Sequence, residues 1–226
     1  MRQLCEPSKI FEGINVSLTE TELKTQSKHA GEQVLEAILS RRSVGRVKPD
    51  ELPWEVVERI LQAAVHAPNH YRTEPWRFFV LRGRAREELG DVMASSLRER
   101  LQGSKSGEMM PLLEKERAKP LRAPVIIAVA AVPSPEPHVL EIEEVAAAAA
   151  AVQNMLLAAE ALGLGAKWRT GAPAVDPAVK RFLGLPDSAH LIAFLYIGYP
   201  DMPAPPERER SAAQHTTWLG WDDSQR

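Results

Sequence analysis

The chain has 226 residues, 44% of them hydrophobic, enough to close the core of one domain or at most two small ones, which excludes a disordered or fibrous protein. Its 28 Lys and Arg balance 30 Asp and Glu, so a net charge of −2 offers no basic excess for nucleic acid or acidic lipid and points to a small-molecule ligand or a protein partner. The single cysteine, Cys5, allows no internal disulfide, Cys-rich metal site or CxxC pair, which fits a reducing compartment, the cytoplasm.

Residues 1–30 carry eight charges and no clean period, apolar signal core or small-residue cleavage pattern. They read as an arm that is not an export signal and that wraps a neighbouring subunit or stays partly disordered. The globular domain is expected from about residue 31 to 226, with an extended tail from about Asp201. No window holds roughly 20 consecutive apolar residues, so no membrane span is expected.

In EQVLEAILSRR, Val34, Leu35, Ile38 and Leu39 lie on one helical face before the basic step Arg41-Arg42. LPWEVVERILQAAVHAP repeats the pattern, starting after Pro53 and ending by Pro68. Trp76 to Leu81, Pro124 to Val132 and His190 to Tyr199 are rich in β-branched and aromatic residues and predict buried strands. Between the first two, Arg84 to Leu101 and Pro111 to Lys119 read as charged helices joined by a Gly/Ser-rich, mobile break at Gly103 to Gly107. PSPEP (133–137) cannot continue a strand, and MPAPPERER (202–210) reads as an extended connection. The strongest element is EEVAAAAAAVQNMLLAAEALGLG from Glu143, with acids in its first turn and glycines at its end. Its alanines let neighbouring helices approach closely.

Among residues that could carry chemistry, no GxSxG elbow is present, and Cys5 lacks a basic cluster. His66 and His70 have the spacing of a helical metal pair, but Pro68 between them breaks the turn that would align them, so no metal site is expected. GLGAKW closes a helix where a Rossmann loop would open one. What remains is cationic and hydroxyl groups at turns: Arg41-Arg42-Ser43, APNHYRTEPWRF (67–78), and Trp168-Arg169-Thr170-Gly171. Arg forks with Ser or Thr hydroxyls suit a phosphoester, and arginines at helix ends also cap dipoles or stay solvated.

RRSVGRVKPDELPWEVVERILQAAVHAPNHYRTEPWRFFVL, followed by GLGAKWRTGAPAVDPAVKRFLGLPDSAHLIAFLYIGYP, resembles the nitroreductase family over about residues 32–200. The WR(S/T)G tetrapeptide and the APxH turn bring it closest to the YdjA-type branch. The resemblance implies an α+β fold with a central mixed β-sheet flanked by helices, and an intertwined homodimer with FMN bound non-covalently at the interface. It implies that Arg41, Arg42 and Ser43 hold the phosphate and ribityl chain, that Trp168, Arg169 and Thr170 meet the same flavin, and that His66, Pro68, Asn69 and His70 come from the partner subunit.

The implied activity is ping-pong: NAD(P)H reduces the flavin and leaves, and a nitroaromatic, quinone or similar acceptor takes the electrons, with no protein group as acid or nucleophile. A reductive dehalogenase or flavin-fragmenting enzyme on the same fold, or a flavin-binding protein without turnover, stands as the alternative. In many members a Lys two residues after the Ser places positive charge near the flavin N1/O2 edge. Here that position is Gly45, with Arg46, Arg72 or His70 as substitutes. Arg72 and Glu74 could equally pair with each other. Trp76 reads as core filling and Trp168 as part of the site.

Overall fold

The computed structural model describes residues 31–101, 109–207 and 209–220. The arm 1–30 and the Gly103 to Gly107 break lie outside them. The chain divides into two compact units, Met1–Leu39 and Ser40–Arg226. Residues 31–40 form helix α1, whose Val34, Leu35 and Ile38 are exposed.

The larger unit is built on four strands, β1 (Trp76–Arg82), β2 (Val125–Ala131), β3 (Gly165–Arg169) and β4 (His190–Gly198), in the order β1-β2-β4-β3. The fold is α+β, as expected, but among the described residues the sheet is not mixed, because every neighbouring pair is antiparallel. The reason lies in one crossover. A helix carries the chain from β2 to β3, so these two strands run the same way; β4 then inserts between them, antiparallel to both.

Helices α2 (Trp54–Ala64) and α5 (Glu141–Ala161) cover one face of the sheet. Pro53 precedes α2, where a missing N–H costs nothing, and Val57, Ile60 and Ala64 turn inward. They meet Ala147, Ala151, Val152 and Met155 of α5 and Ile127, Val129, Leu195 and Ile197 of the sheet. The Asn154 amide donates to the Ala63 carbonyl, 3.1 Å away, locking the two helices together.

By length and composition α5 could cross a membrane. Its glutamates, Gln153 and Asn154 interrupt the apolar run, and Ala147, Ala148, Ala151, Val152, Met155, Leu156 and Ala159 are buried in this core. Gly163, at φ 70°, ends the helix: the Leu164 N–H reaches back to the Ala159 carbonyl, a turn that a side chain at 163 would strain.

The other face carries α3 (Arg84–Arg100), with α4 (Met109–Arg117) packed on it, and α6 (Pro177–Phe182). Leu89, Met93 and Val179 pack there on Ile126, Ala128, Ala130, Phe194 and Tyr196. Strand β2 is buried along its whole length, because both faces are covered.

Candidate functional site

The segment 41–48 lies along the outer edge of β3, and two glycines decide how closely. Gly165 and Gly198 face each other across β3 and β4. A β-carbon on Gly165 would meet Val44 Cγ1 at 2.8 Å, and one on Gly198 would meet Val47 Cγ2 at 2.8 Å. The pair therefore forms a bare shelf on which Val44 and Val47 seat. The Val44 N–H donates to the Ala166 carbonyl at 3.0 Å, the Lys48 N–H to Tyr199 at 2.8 Å, and the Asp201 N–H to Arg46 at 3.1 Å.

The cationic step is thus held from below, and its side chains divide. Arg42 donates to the Arg41 carbonyl and approaches the Glu207 carboxylate at 3.4 Å. Arg46 is committed to Asp201, through its carbonyl at 2.8 Å and its carboxylate at 3.3 Å. Arg41 is half-buried and Ser43 exposed.

Gly45 is neighboured by a residue of β3: a β-carbon on Gly45 would lie 3.7 Å from the Lys167 ammonium. Lys167 is half-buried, and its ammonium has no ion pair or hydrogen bond among the described residues. Sequence reasoning missed it, because the pairing that brings 45 beside 167 joins residues more than 120 positions apart and leaves no local signal.

Along β3 the pleat sends alternate side chains to opposite faces. Trp168 packs against the α2/α5 core and its indole N–H donates to the Ile192 carbonyl at 3.0 Å. Arg169 points to the other face, its guanidinium 5.1 Å from the centre of the Tyr196 ring. Thr170 is exposed beyond the strand end. The side chains of Trp168 and Arg169 therefore do not converge on one point. Burial pushes the Tyr196 phenol up from 10.0, against the opposing pull of Arg169 and Arg122.

The second predicted cluster forms a strained turn before β1. Tyr71, Arg72 and Glu74 have φ of 57°, 55° and 47°, a left-handed run that side chains disfavour. Its supports are specific. The Asn69 amide oxygen accepts from the Glu74 N–H at 3.1 Å. The Thr73 hydroxyl and the Ser134 N–H both donate to the carboxylate of Glu144, which is 1% exposed. His70 bonds Glu143 at 2.9 Å and stacks on Tyr71 with ring centres 3.8 Å apart.

Helix α2 stops at Ala64, so His66 and His70 do not share a helical face; His66 contacts Gln62 at 3.4 Å, and Pro68 is exposed. Arg72 and Glu74 are exposed and not paired with each other. Trp76 is buried core. The turn precedes β1 and the 41–48 segment borders β3, opposite edges of the sheet roughly 14 Å apart at about 4.8 Å per strand spacing.

These features coincide with a known architecture. The model of the nitroreductase family matches residues 38–199, most of the chain, and the protein belongs to that family. It is 34% identical over 171 residues to the Escherichia coli protein named "Putative NAD(P)H nitroreductase YdjA", covering 75% of this chain and 90% of that one. Among solved structures, a nitroreductase-like family protein from Bacillus cereus superposes with a TM-score of 0.70 at 27% identity, covering 83% of this chain and 96% of that one. A Desulfovibrio desulfuricans protein of nitroreductase type, solved in complex with FMN, gives 0.62 at 29% identity over 84% and 98%.

Proposed function

We propose that this protein is an FMN-dependent NAD(P)H oxidoreductase that reduces nitroaromatic, quinone or related electron-poor acceptors and works as a homodimer. FMN, when bound, would supply the hydride and electron-transfer chemistry. Every other task falls to the chain. The residues suit the group: a guanidinium (Arg41) and a hydroxyl (Ser43) match a phosphoester, and an uncommitted ammonium (Lys167) matches an anionic ring edge.

The observation that carries the reading is Lys167 beside Gly45. Arg46 and His70 are engaged with Asp201 and Glu143, and Arg72 is exposed on the turn before β1, whereas Lys167 is an uncommitted cation beside the Gly45 position. In this reading it supplies positive charge beside the 43–45 segment. Trp168, fixed by its bond to Ile192, faces the α2/α5 side of β3, the face opposite Lys167 and Arg169.

Residues His66, Pro68, Asn69 and His70 sit on the far edge of the sheet in the same chain, so the reading gives them to the partner subunit's cradle. Exposed Trp54, Tyr71, Leu140 and Ile142 supply an apolar surface for that association.

The test is anaerobic stopped flow on the purified dimer. NADH or NADPH bleaches the flavin, and a nitroarene or quinone restores the colour. Bleaching without turnover on either acceptor moves the protein to a specialised flavin enzyme, and no bleaching moves it to a flavin-binding protein.

A further inference from the structure

On the face of the sheet opposite Trp168 lies a cavity of about 120 Å³, lined by Lys119, Arg122, Arg169, Thr170, Phe194 and Tyr196. We propose that it binds a small organic carboxylate with a compact apolar body, a benzoate-sized monoanion. The inference does not rest on the flavin reading.

Charge decides the sign of the ligand. Lys119 is neutralised by Glu116. Arg122 and Arg169 have no ion pair among the described residues, so two guanidinium charges converge on the space uncompensated. The Arg169 Nε–H is buried and has no hydrogen-bond partner among the described residues, a donor that folding leaves unsatisfied at the wall of this cavity. Stacking over Tyr196 holds the fork in place without using its N–H groups.

Geometry then decides the class. Two arginine forks suit the paired oxygens of a carboxylate. The Thr170 hydroxyl and the Tyr196 phenol, which burial keeps protonated, can each donate one more bond. Phe194 and Met93 line the cavity with an aromatic ring and a thioether, which a fully hydrated anion would waste and a ring or branched chain would fill. The volume is close to the ~150 Å³ that holds one benzene ring, and too small for a three-ring flavin.

The experiment is calorimetric titration of the full-length, flavin-loaded protein with benzoate, benzamide and inorganic phosphate, with flavin absorbance followed in parallel. Benzoate is expected to bind once per chain without releasing flavin, and benzamide, which lacks the charge, at least tenfold more weakly. Arg122→Ala, at an exposed position that the fold tolerates, should weaken benzoate at least tenfold with flavin content unchanged, and Arg122→Lys should recover part of the loss.

Four outcomes overturn the proposal: no benzoate binding, equal binding by benzamide, unchanged binding in Arg122→Ala, or release of flavin by benzoate, which would make the cavity part of the cofactor site. Preference for phosphate over benzoate would overturn the organic class. If the preparation holds no flavin, the same titration still decides the cavity, while the proposed function fails separately.

Discussion

The two faces of the sheet are built on opposite terms. Against α2 and α5 the core is made of alanines, valines and single large residues that let backbones approach, and its polar groups are bonded. Against α3 and α6 the packing leaves a cavity and two buried guanidinium nitrogens, Nε of Arg86 and of Arg169, without a partner among the described residues. Strand β3 belongs to both, giving Trp168 to the closed face and Arg169 to the open one. A face that is fully packed can position a cofactor, and a face left incompletely satisfied is the one with room for a second ligand.

The contrast is breakable. Met155→Ala, on the closed face, should cost the most, about 2–5 kcal/mol in urea unfolding, because closely approaching helices cannot collapse into the void. A loss below about 1 kcal/mol would show that face to be plastic. Arg41→Ala should weaken FMN retention by about 1.5–3 kcal/mol, the worth of a charge-assisted bond, read as flavin occupancy after dialysis. Unchanged occupancy would remove Arg41 from the cradle.

Glu144→Ala strands the Thr73 hydroxyl and the Ser134 N–H in a buried site. It should destabilise by about 1–3 kcal/mol and speed proteolysis at the 69–74 turn. A matching loss from Glu144→Gln would point to the charge rather than the bonds. The smallest effect belongs to Tyr196→Phe. Because the folded phenol titrates above the unfolded value of 10.0, the protonated form favours folding; its contribution is whole below 10.0 and is lost as pH rises through the folded value. Melting temperatures of wild type and variant should therefore differ in slope only on the alkaline side.

Much of this was legible from spacing. The apolar period of 54–65, the proline stops at 53 and 68 and the β-branched runs at 76, 125 and 190 are local signals, and the elements fall within a residue or two of them. Strand β3 was not, because GAKWR has one β-favouring residue and gains its extended form from Phe194 to Gly198 alongside. The antiparallel sheet was hidden for the same reason: strand order depends on contacts between distant segments. Trp168, read as a site residue, is also a core edge, since its indole N–H is spent on Ile192.

The segment 41–48 has one more consequence. It bonds the free margin of β3 at Ala166 and the strand end beyond β4 at Tyr199 and Asp201, a margin where unpaired carbonyls would otherwise invite another chain to add a strand, while the opposite margin at β1 carries exposed Arg77 and Arg82. Whatever loosens that ribbon unbars this margin of the sheet, so substitutions that detach it should raise the tendency to self-associate into insoluble material.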